Sequence, residues 1–337
     1  MRAVVITKHG GPDVLEVQER PDPKLGAGEV RISVAAAGVN FADVMARMGL
    51  YSDAPKTPCV IGYEVAGTIL ELGEGPIGDR PAGLTVGQRV LAGTKFGGYC
   101  SQVAVPASDV VALPDALSFE QGAAIPVNYA TAWAGLIGYG SLRAGERVLI
   151  HSAGGGVGIA ATQIAKRYGA EVYGTASPGK HRRIEELGVD HVLDYTVEGW
   201  ERGLPSFDVI LDAIGGKSFR RSYSMLRPGG RLVAFGASAV VSGQRRNLVT
   251  ALRTVARMPR FNLVKQMSES KAVIGLNMLS LWQDRATLEP WIGPLRELLD
   301  DGTVAPVVAG VFSFEQAGAA HSMITERRNV GKVVLTP

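Results

Sequence analysis

The sequence predicts an α/β protein of two domains, one rich in β-strands and one built around a doubly wound parallel sheet. Three observations lead to this prediction. The chain has 337 residues, which is enough for two hydrophobic cores of ordinary size. Up to residue 122 it contains short β-type runs separated by Gly and Pro. From residue 123 onward, short apolar strands alternate with amphipathic helices, a pattern typical of βαβ units.

The composition excludes several classes of protein. Hydrophobic residues make up 46% of the chain and charged residues 20%, and the net charge of +3 gives no reason to expect a nucleic-acid partner. Cys59 and Cys100 each stand alone, so they form neither a disulfide framework nor a Cys-rich zinc site. No apolar run reaches the ~18 residues that cross a bilayer, and no signal sequence is recognisable. We therefore expect a soluble, cytoplasmic protein.

Residues 1–122 are expected to form the first part of the β-rich domain. The runs "EVRISVAAAGV", "YEVAGTILEL" and "YCSQVAVP" have the spacing of a largely antiparallel sheet, and "NFADVMARMGLY" is the clearest helix candidate. The last segment, residues 289–337, has a strand–helix–strand pattern. We expect this segment to return to the first domain.

Residues 123–288 are expected to form the parallel-sheet domain. The segment "AAIPVNYATAWAGLIGYG" predicts a long apolar helix that ends at Gly140. The strands "RVLIHSA", "EVYGTA", "HVLDY", "FDVILDA" and "GRLVAFGA" follow, with helices between them. A further buried strand over 272–279 is placed at the edge of the sheet. Since an open edge strand favours pairing with a second copy, we expect a homodimer through this strand.

A Gly-rich turn joins the first strand of this domain to a helix. Ala153, Gly155 and Gly158 occupy the three positions of the G-x-G-x-x-G fingerprint, with Gly156 and Val157 between the last two. Small residues let the backbone approach a pyrophosphate and let the helix pack closely on the strand, while the helix N-terminus offers unpaired N–H groups. The pattern predicts a dinucleotide site, the alternative being a tight turn without a ligand.

The end of the second strand indicates which dinucleotide is bound. NAD sites usually carry Asp or Glu there, to accept from the ribose 2′-hydroxyl. The stretch "GTASPGK" has no acid and instead places Thr175, Ser177 and Lys180 around Ala176. A 2′-phosphate would be attracted by these groups, so we predict NADPH as the cofactor. The alternative is that the bases are only the solvated first turn of a helix.

By these motifs the chain resembles the medium-chain dehydrogenase/reductase superfamily over essentially its whole length. The segments "AAGVNFADVMARMGLY", "PCVIGYEVAG" and "NVGKVVL" are similar to those of its quinone oxidoreductases, and the closest resemblance is to the vesicle amine transport protein-like quinone oxidoreductases. The resemblance implies a GroES-like catalytic domain and a Rossmann domain. It also implies further cofactor contacts, at Tyr195, Gly236, Ala237, Asn329 and Lys332.

The resemblance further implies that no metal is bound. Zinc-dependent members of the superfamily have a Cys, a His and a third ligand at positions that correspond here to Asn40, Tyr63 and Val127. None of these side chains is a good ligand for Zn²⁺, which prefers thiolate, imidazole or carboxylate. The four-Cys structural lobe is also missing.

Without zinc, reduction of an already electrophilic acceptor is easier than oxidation of a simple alcohol. Quinones and enones delocalise the charge that develops, so a few hydrogen-bond donors suffice. By resemblance, Asn40, Tyr51 and Asn128 flank the cleft between the domains and are the candidate catalytic residues. Each has a plain structural alternative: a helix cap for Asn40, a packed ring for Tyr51, and a buried amide with internal partners for Asn128.

The sequence therefore predicts a zinc-independent NADPH:quinone or enone reductase. The alternative enzyme is a 2-enoyl thioester reductase, because such relatives carry a Tyr in a stretch similar to "MGLYSDAPK". A third hypothesis is an NADPH-binding protein of little activity that binds lipid or partner proteins through the basic segment 245–267. That segment places Leu248, Leu252, Val255 and Met258 on one helix face; we favour a lid or subunit interface over contact with a membrane surface.

Overall fold

The computed structural model describes residues 1–74 and 83–337. The described residues form sixteen strands and twelve α-helices, numbered here in chain order. The strands are β1 (Arg2–Ile6), β2 (Leu15–Glu19), β3 (Glu29–Val39), β4 (Cys59–Val60), β5 (Glu64–Leu72), β6 (Arg89–Gly93), β7 (Gln102–Pro106), β8 (Val110–Ala112), β9 (Arg147–Ile150), β10 (Glu171–Ala176), β11 (His191–Asp194), β12 (Phe207–Asp212), β13 (Leu226–Ala234), β14 (Ala272–Gly275), β15 (Val308–Ser313) and β16 (Lys332–Thr336). The helices are α1 (Phe41–Arg47), α2 (Phe119–Gly122), α3 (Pro126–Trp133), α4 (Gly156–Arg167), α5 (His181–Glu186), α6 (Lys217–Met225), α7 (Leu248–Ala256), α8 (Leu263–Glu269), α9 (Met278–Arg285), α10 (Glu289–Ile292), α11 (Leu295–Asp300) and α12 (Ala317–Thr325).

The middle of the chain forms a parallel sheet of six strands in the order β11-β10-β9-β12-β13-β14. Val148 of β9 pairs with Val172 on one side and with Val209 on the other, and all three side chains are buried. Strands buried on both faces read as continuous apolar runs. The strand order reverses between β9 and β12, the place where ligands bind in doubly wound sheets. The α/β fold with a Rossmann sheet is therefore confirmed.

The rest of the chain builds the GroES-like domain. Its main sheet runs β15-β16-β3-β5-β6-β8, with β7 also paired to β3, and β2-β1-β4 forms a second, smaller sheet. All pairs of the main sheet are antiparallel except β15 with β16. Strands β15 and β16 come from the C-terminal segment, whereas Trp291, Ile292 and Leu295 of α10 and α11 lie in the same apolar cluster as β9 and β12. The exact domain boundaries stay a prediction.

The long apolar helix expected to end at Gly140 is interrupted. Helix α3 begins at Pro126, which lacks an N–H and suits the first helical position. One turn with π-helical hydrogen bonding, Ala134–Gly138, follows it directly. The sequence could not reveal this change of winding because both parts are equally apolar.

Two predictions about the chain after β13 need correction. The edge strand ends at Gly275 rather than at residue 279, because Asn277 caps α9, and its side chains are half-buried or exposed rather than buried. The basic segment 245–267 forms two helices, α7 and α8, instead of one, and Met258 lies beyond the end of α7. Leu252 is 69% exposed and Met267 78% exposed, so the apolar faces of both helices point outward. Among the described residues, none of the helices is long and apolar enough to span a bilayer.

Candidate active site

A cavity of about 1270 Å³ lies between the two domains. It begins at the carboxyl ends of the parallel strands and extends to α1 and the start of β5. All the residues predicted to form the site line this one cavity, except Ala153, which is buried beneath the turn. The predicted residues that line it are Asn40, Tyr51, Asn128, Gly155, Gly156, Val157, Gly158, Thr175, Ser177, Lys180, Tyr195, Gly236, Ala237, Asn329 and Lys332.

The Gly-rich turn forms one wall, and α4 begins at its end. A Cβ atom at Gly158 would lie 2.4 Å from the carbonyl oxygen of Ser152, so the helix can approach β9 only without a side chain there. The first N–H groups of a helix have no acceptor within it, and here they border the cavity. Gly331 closes the turn from the other domain by donating its N–H to the carbonyl oxygen of Gly154 at 2.9 Å. The turn therefore has the shape and polarity of an anion cradle.

Two basic side chains lie beside the end of β10, and no acidic side chain of the described cavity wall neutralises them. Lys180 is half-buried, and its Nζ donates to the carbonyl oxygen of Asn329 at 2.6 Å. Burial lowers the pKa of Lys180, and the nearby positive charge of Arg327 lowers it further. Arg327 also lines the cavity, and no Asp or Glu of the described chain does. Two bases brought together in this way attract an anion.

Thr175 and His151 lie on the cavity floor and bond to each other. The Nδ1 atom of His151 is 3.3 Å from Thr175 Oγ1, and its Nε2 atom is 3.0 Å from Ser222 Oγ. Ser222 in turn donates to Asp212 at 2.7 Å. Burial lowers the pKa of His151, although the Asp212 carboxylate acts in the opposite direction. These bonds fix the ends of β9, β10 and β12 relative to one another, below the turn.

A buried ion pair lies where the GroES-like sheet borders the cavity. Glu64 is fully buried, and its Oε1 atom accepts from the Nζ atom of Lys332. The same oxygen accepts from Asn40 Nδ2 at 3.0 Å, and Oε2 accepts from the Val127 N–H at 2.7 Å. Lys332 Nζ also donates to Asn40 Oδ1 at 2.6 Å. Lys332 is thus bonded inside the protein, where the sequence predicted a cofactor contact.

The two candidate amides of the site are held in different ways. The side chain of Asn40 is fixed by Glu64 and Lys332, while its backbone N–H donates to the carboxylate of Asp43 at 2.8 Å as α1 begins. Asn128 is buried and donates to the carbonyl oxygen of Ala124 at 2.9 Å. A Cβ atom at Gly156 would lie only 2.4 Å from Asn128 Nδ2, so this amide packs directly on the Gly-rich turn.

Tyr51 and Tyr63 stand side by side in the cavity wall. Their rings make an edge contact with centroids 6.5 Å apart, and Tyr63 packs in turn on Phe96 at 5.1 Å. Burial raises the pKa of Tyr51 to about 12, helped by the negative charges of Asp53 and Asp43. Burial likewise raises the pKa of Tyr63. Both phenols therefore stay protonated at neutral pH and are hydrogen-bond donors.

The wall next to these tyrosines is apolar. Met278, Leu279 and Trp282 of α9 line it from the parallel-sheet domain. The indole of Trp282 donates to Asp109 of the GroES-like domain at 2.9 Å, and Asp109 also accepts from the N–H of Leu288 at 2.7 Å. The buried carboxylate thereby holds the apolar wall in place. An uncharged, flat molecule fits such a surface better than an ion does.

Three features of the site were not predicted from the sequence: Arg327, the apolar wall of α9 and the partner of Glu64. Arg327 has a φ of 56°, and nothing in its local pattern distinguishes it from Arg328 beside it. Glu64 and Lys332 are 268 positions apart, so only the fold brings them together. Three His, Cys, Asp or Glu side chains placed to hold a metal ion do not occur among residues 1–74 and 83–337.

Comparison with known families agrees with this architecture. Residues 26–115 match the alcohol dehydrogenase GroES-like domain, and residues 187–335 match the zinc-binding dehydrogenase family. The chain is 35% identical to the synaptic vesicle membrane protein VAT-1 homolog of Danio rerio, over 99% of this chain and 70% of that protein. It is 34% identical to the human VAT-1 homolog, over 100% of this chain and 86% of the relative.

Solved structures give the same result. The human VAT-1 homolog-like protein has a TM-score of 0.84 at 31% identity, covering 100% of this chain and 98% of the other. The quinone oxidoreductase of Thermus thermophilus, solved alone and with NADPH, has a TM-score of 0.78 at 32% identity, covering both chains fully. The resemblance seen in the motifs is confirmed: the chain belongs to the medium-chain dehydrogenase/reductase superfamily and, within it, to the family of the VAT-1 homologues.

Proposed function

We propose that this oxidoreductase is an NADPH-dependent, zinc-independent reductase of quinones or related electron-poor enones. The observation that carries the proposal is the arrangement of one continuous cavity. It leads from a Gly-rich turn beside Lys180 and Arg327 to protonated hydrogen-bond donors under an apolar wall. A pyridine nucleotide fits the first part and a flat acceptor fits the second.

The residues at the turn suit NADPH. Helix α4 begins within the Gly-rich turn, and its first N–H groups border the cavity where a pyrophosphate would fit. Lys180 and Arg327 suit a 2′-phosphate, and no carboxylate of the described cavity wall repels it. Tyr195 lies 39% exposed on the same side and is a candidate for stacking on the adenine. Bound at this site, NADPH would supply a hydride to the acceptor.

The chain's own residues then have three tasks. Asn128, packed on Gly156, and Asn40, held by Glu64 and Lys332, are candidates to orient the reacting partners. Tyr51 donates a hydrogen bond to the oxygen on which negative charge develops. Met278, Leu279 and Trp282 exclude water from the reacting atoms. Water can supply the proton that follows.

This site does not need a metal for the proposed reaction. By the resemblance, Asn40, Tyr63 and Val127 correspond to the ligand positions of zinc-dependent relatives, and amide, phenol and valine side chains are poor ligands for Zn²⁺. The quinone or enone is itself electrophilic, and it delocalises the charge that it receives. A hydrogen bond from the protonated Tyr51 therefore suffices to stabilise the negative charge on the acceptor oxygen, without a metal ion.

Two other functions remain as candidates. A 2-enoyl thioester reductase is supported by Tyr51 and by the apolar wall, which would suit an acyl chain. A binding protein of little activity is supported by the exposed apolar and basic faces of α7 and α8. The cytoplasmic location, the homodimer through β14 and the preference for a lid or subunit interface over membrane contact at 245–267 are also proposals.

Parallel assays distinguish these functions. The purified protein is given NADPH with an ortho-quinone in one assay and with a 2-enoyl thioester in the other, and NADPH oxidation is followed. Turnover of the quinone supports the proposal, and faster turnover of the thioester replaces it with the second function. NADPH that binds without being consumed by either acceptor would indicate the binding protein.

A further inference from the structure

The hydroxyl of Tyr63 has no role in the site as described so far. Tyr63 is 6% exposed, lines the cavity, and its oxygen makes no hydrogen bond of normal geometry to any described residue. A buried hydroxyl without a partner is less favourable than one that is hydrogen-bonded, because it has lost its bonds to water. If the Tyr63 ring only packed against Phe96, a Phe at position 63 would make the same contact without a buried hydroxyl that lacks a partner. The hydroxyl therefore needs a reason to be there.

The neighbouring group that can provide this reason is Tyr51. The two rings touch edge to face, and both side chains line the cavity. A hydrogen bond donated by Tyr63 would lower the pKa of Tyr51, against the rise that burial causes. A phenol has one hydrogen to donate and lone pairs with which to accept. When Tyr51 accepts from a neighbour, its own hydrogen becomes a stronger donor and is directed elsewhere.

We propose that Tyr63 is a positioning residue that donates to the Tyr51 hydroxyl and thereby directs the Tyr51 hydrogen toward the acceptor oxygen. Hydrogen bonds of active sites are often long before substrate binds and tighten in the complex. The pair acts as a two-tyrosine relay of hydrogen bonds, and no proton leaves Tyr63. This inference rests on the proposed reductase function.

The test is the Tyr63→Phe variant, compared with wild type and with Tyr223→Phe. Tyr223 is a matched control because it is also buried and lies outside the cavity, and its hydroxyl also lacks a partner of normal geometry among the described residues. We expect Tyr63→Phe to lower kcat for quinone reduction about two- to tenfold, the effect of one neutral hydrogen bond. KM for NADPH should stay unchanged in Tyr63→Phe, and its melting temperature should not fall. Tyr223→Phe should retain full kcat.

A double variant separates positioning from packing. In the Tyr51→Phe background, Tyr63→Phe should have no further effect on kcat, because the group through which Tyr63 acts is gone. Unchanged kcat in Tyr63→Phe, or an equal loss with and without Tyr51, would overturn the relay. Wild-type protein that fails to oxidise NADPH with any acceptor would instead remove the proposed function, and the relay with it.

Discussion

Tyr51 is half-buried where the polar end of the cavity meets its apolar wall. Its replacement by Phe keeps the ring contact with Tyr63 and removes only the hydroxyl. Loss of one donor to a developing oxyanion typically costs about 10²-fold in kcat. We expect a loss of this size with KM for NADPH unchanged, measured by steady-state NADPH oxidation. If the only effect of Tyr51→Phe were a higher KM for NADPH, this would contradict the role of Tyr51 at the acceptor.

Ionisation of Tyr51 should not affect the rate of NADPH oxidation through the neutral pH range. Because its pKa is raised to about 12, the donating form persists at all ordinary assay pH values. A decline of the wild-type rate between pH 7 and 9 that disappears in Tyr51→Phe would show that the phenol ionises much earlier than the structure implies.

Lys180 and Arg182 lie two positions apart and give a matched pair for cofactor selectivity. Lys180 lines the cavity, whereas Arg182 is 92% exposed and bonded to Glu186 at 3.0 Å. Lys180→Ala should weaken NADPH binding by about 10- to 100-fold, the range of one charge-assisted contact, without weakening NADH binding. Arg182→Ala should change neither Kd. Fluorescence titration with both cofactors measures this, and equal losses for NADPH and NADH in Lys180→Ala would contradict a 2′-phosphate site.

At the scale of elements, the Glu64–Lys332 pair joins β5, β16 and the start of α3. Removing one partner leaves the other charge buried without compensation, which typically costs about 3–5 kcal/mol. We expect Glu64→Gln to lower the free energy of unfolding by roughly this amount. The double variant Glu64→Gln with Lys332→Met should recover most of the loss, because neither side chain of the pair is then charged.

The control for this experiment is Glu71→Gln in the same strand. Glu71 is 55% exposed and pairs with Arg31 at 3.4 Å, so its loss should change stability by no more than about 1 kcal/mol. Urea unfolding of the four proteins gives the comparison. If the double variant were no more stable than Glu64→Gln, this expectation would be wrong. The pair would then stabilise the fold by more than the neutralisation of two buried charges.

Helix α12 places a buried histidine in the β-rich domain. His321 is fully buried, and its Nε2 atom lies 3.3 Å from the Tyr99 hydroxyl, which also donates to Asp43. Burial lowers the pKa of His321 to about 3, and the positive charge of Arg47 adds to the effect. The unfolded chain takes up a proton near pH 6.5 and the folded protein does not. The stability from His321 is therefore present above pH 6.5 and lost as pH falls toward 3.

Acidification from pH 7 to 5 should thus cost about 2 kcal/mol through His321 alone. Asp43 acts in the opposite direction: burial raises its pKa to about 7, so its contribution to stability is lost as pH rises toward that value. Comparison of wild type with His321→Gln by urea unfolding at both pH values isolates the histidine. Equal pH dependence in the two proteins would contradict a neutral buried His321.

The elements differ in how well the sequence predicts them. The Gly-rich turn was predictable because its chemistry is local: β9, the glycines and α4 follow one another within about 20 residues. The break in α3 and the split of 245–267 into two helices were not, since apolar and basic patterns continue across both. The end of β14 was misplaced because its following residues are apolar enough to extend a strand, while Asn277 instead caps a helix.

At the scale of the whole molecule, the two-domain architecture followed from the sequence, and fifteen residues of the predicted site line the cavity, although the larger part of the lining was not predicted. The long-range side-chain contacts did not follow from the sequence, since they depend on the register of β16 beside β3 within the GroES-like sheet and on Asp109 of that domain bonding to Trp282 of the other. Lys332 shows the consequence: its position beside the cavity was predicted, and its bond to Glu64 was not. Acceptor specificity belongs to this scale, because the wall of α9 and the tyrosines come from different domains.

The reaction proposed for this cavity is the transfer of a hydride from NADPH to an electron-poor acceptor. To test it, the NADPH-loaded protein is mixed with an ortho-quinone in a stopped-flow instrument, using NADPH with and without deuterium at the transferred position. We expect a rapid loss of NADPH absorbance that is slower with deuterium, and a slower rate in Tyr51→Phe than in the wild type. Bound NADPH that stays reduced in the presence of quinone and of other electron-poor acceptors would contradict it.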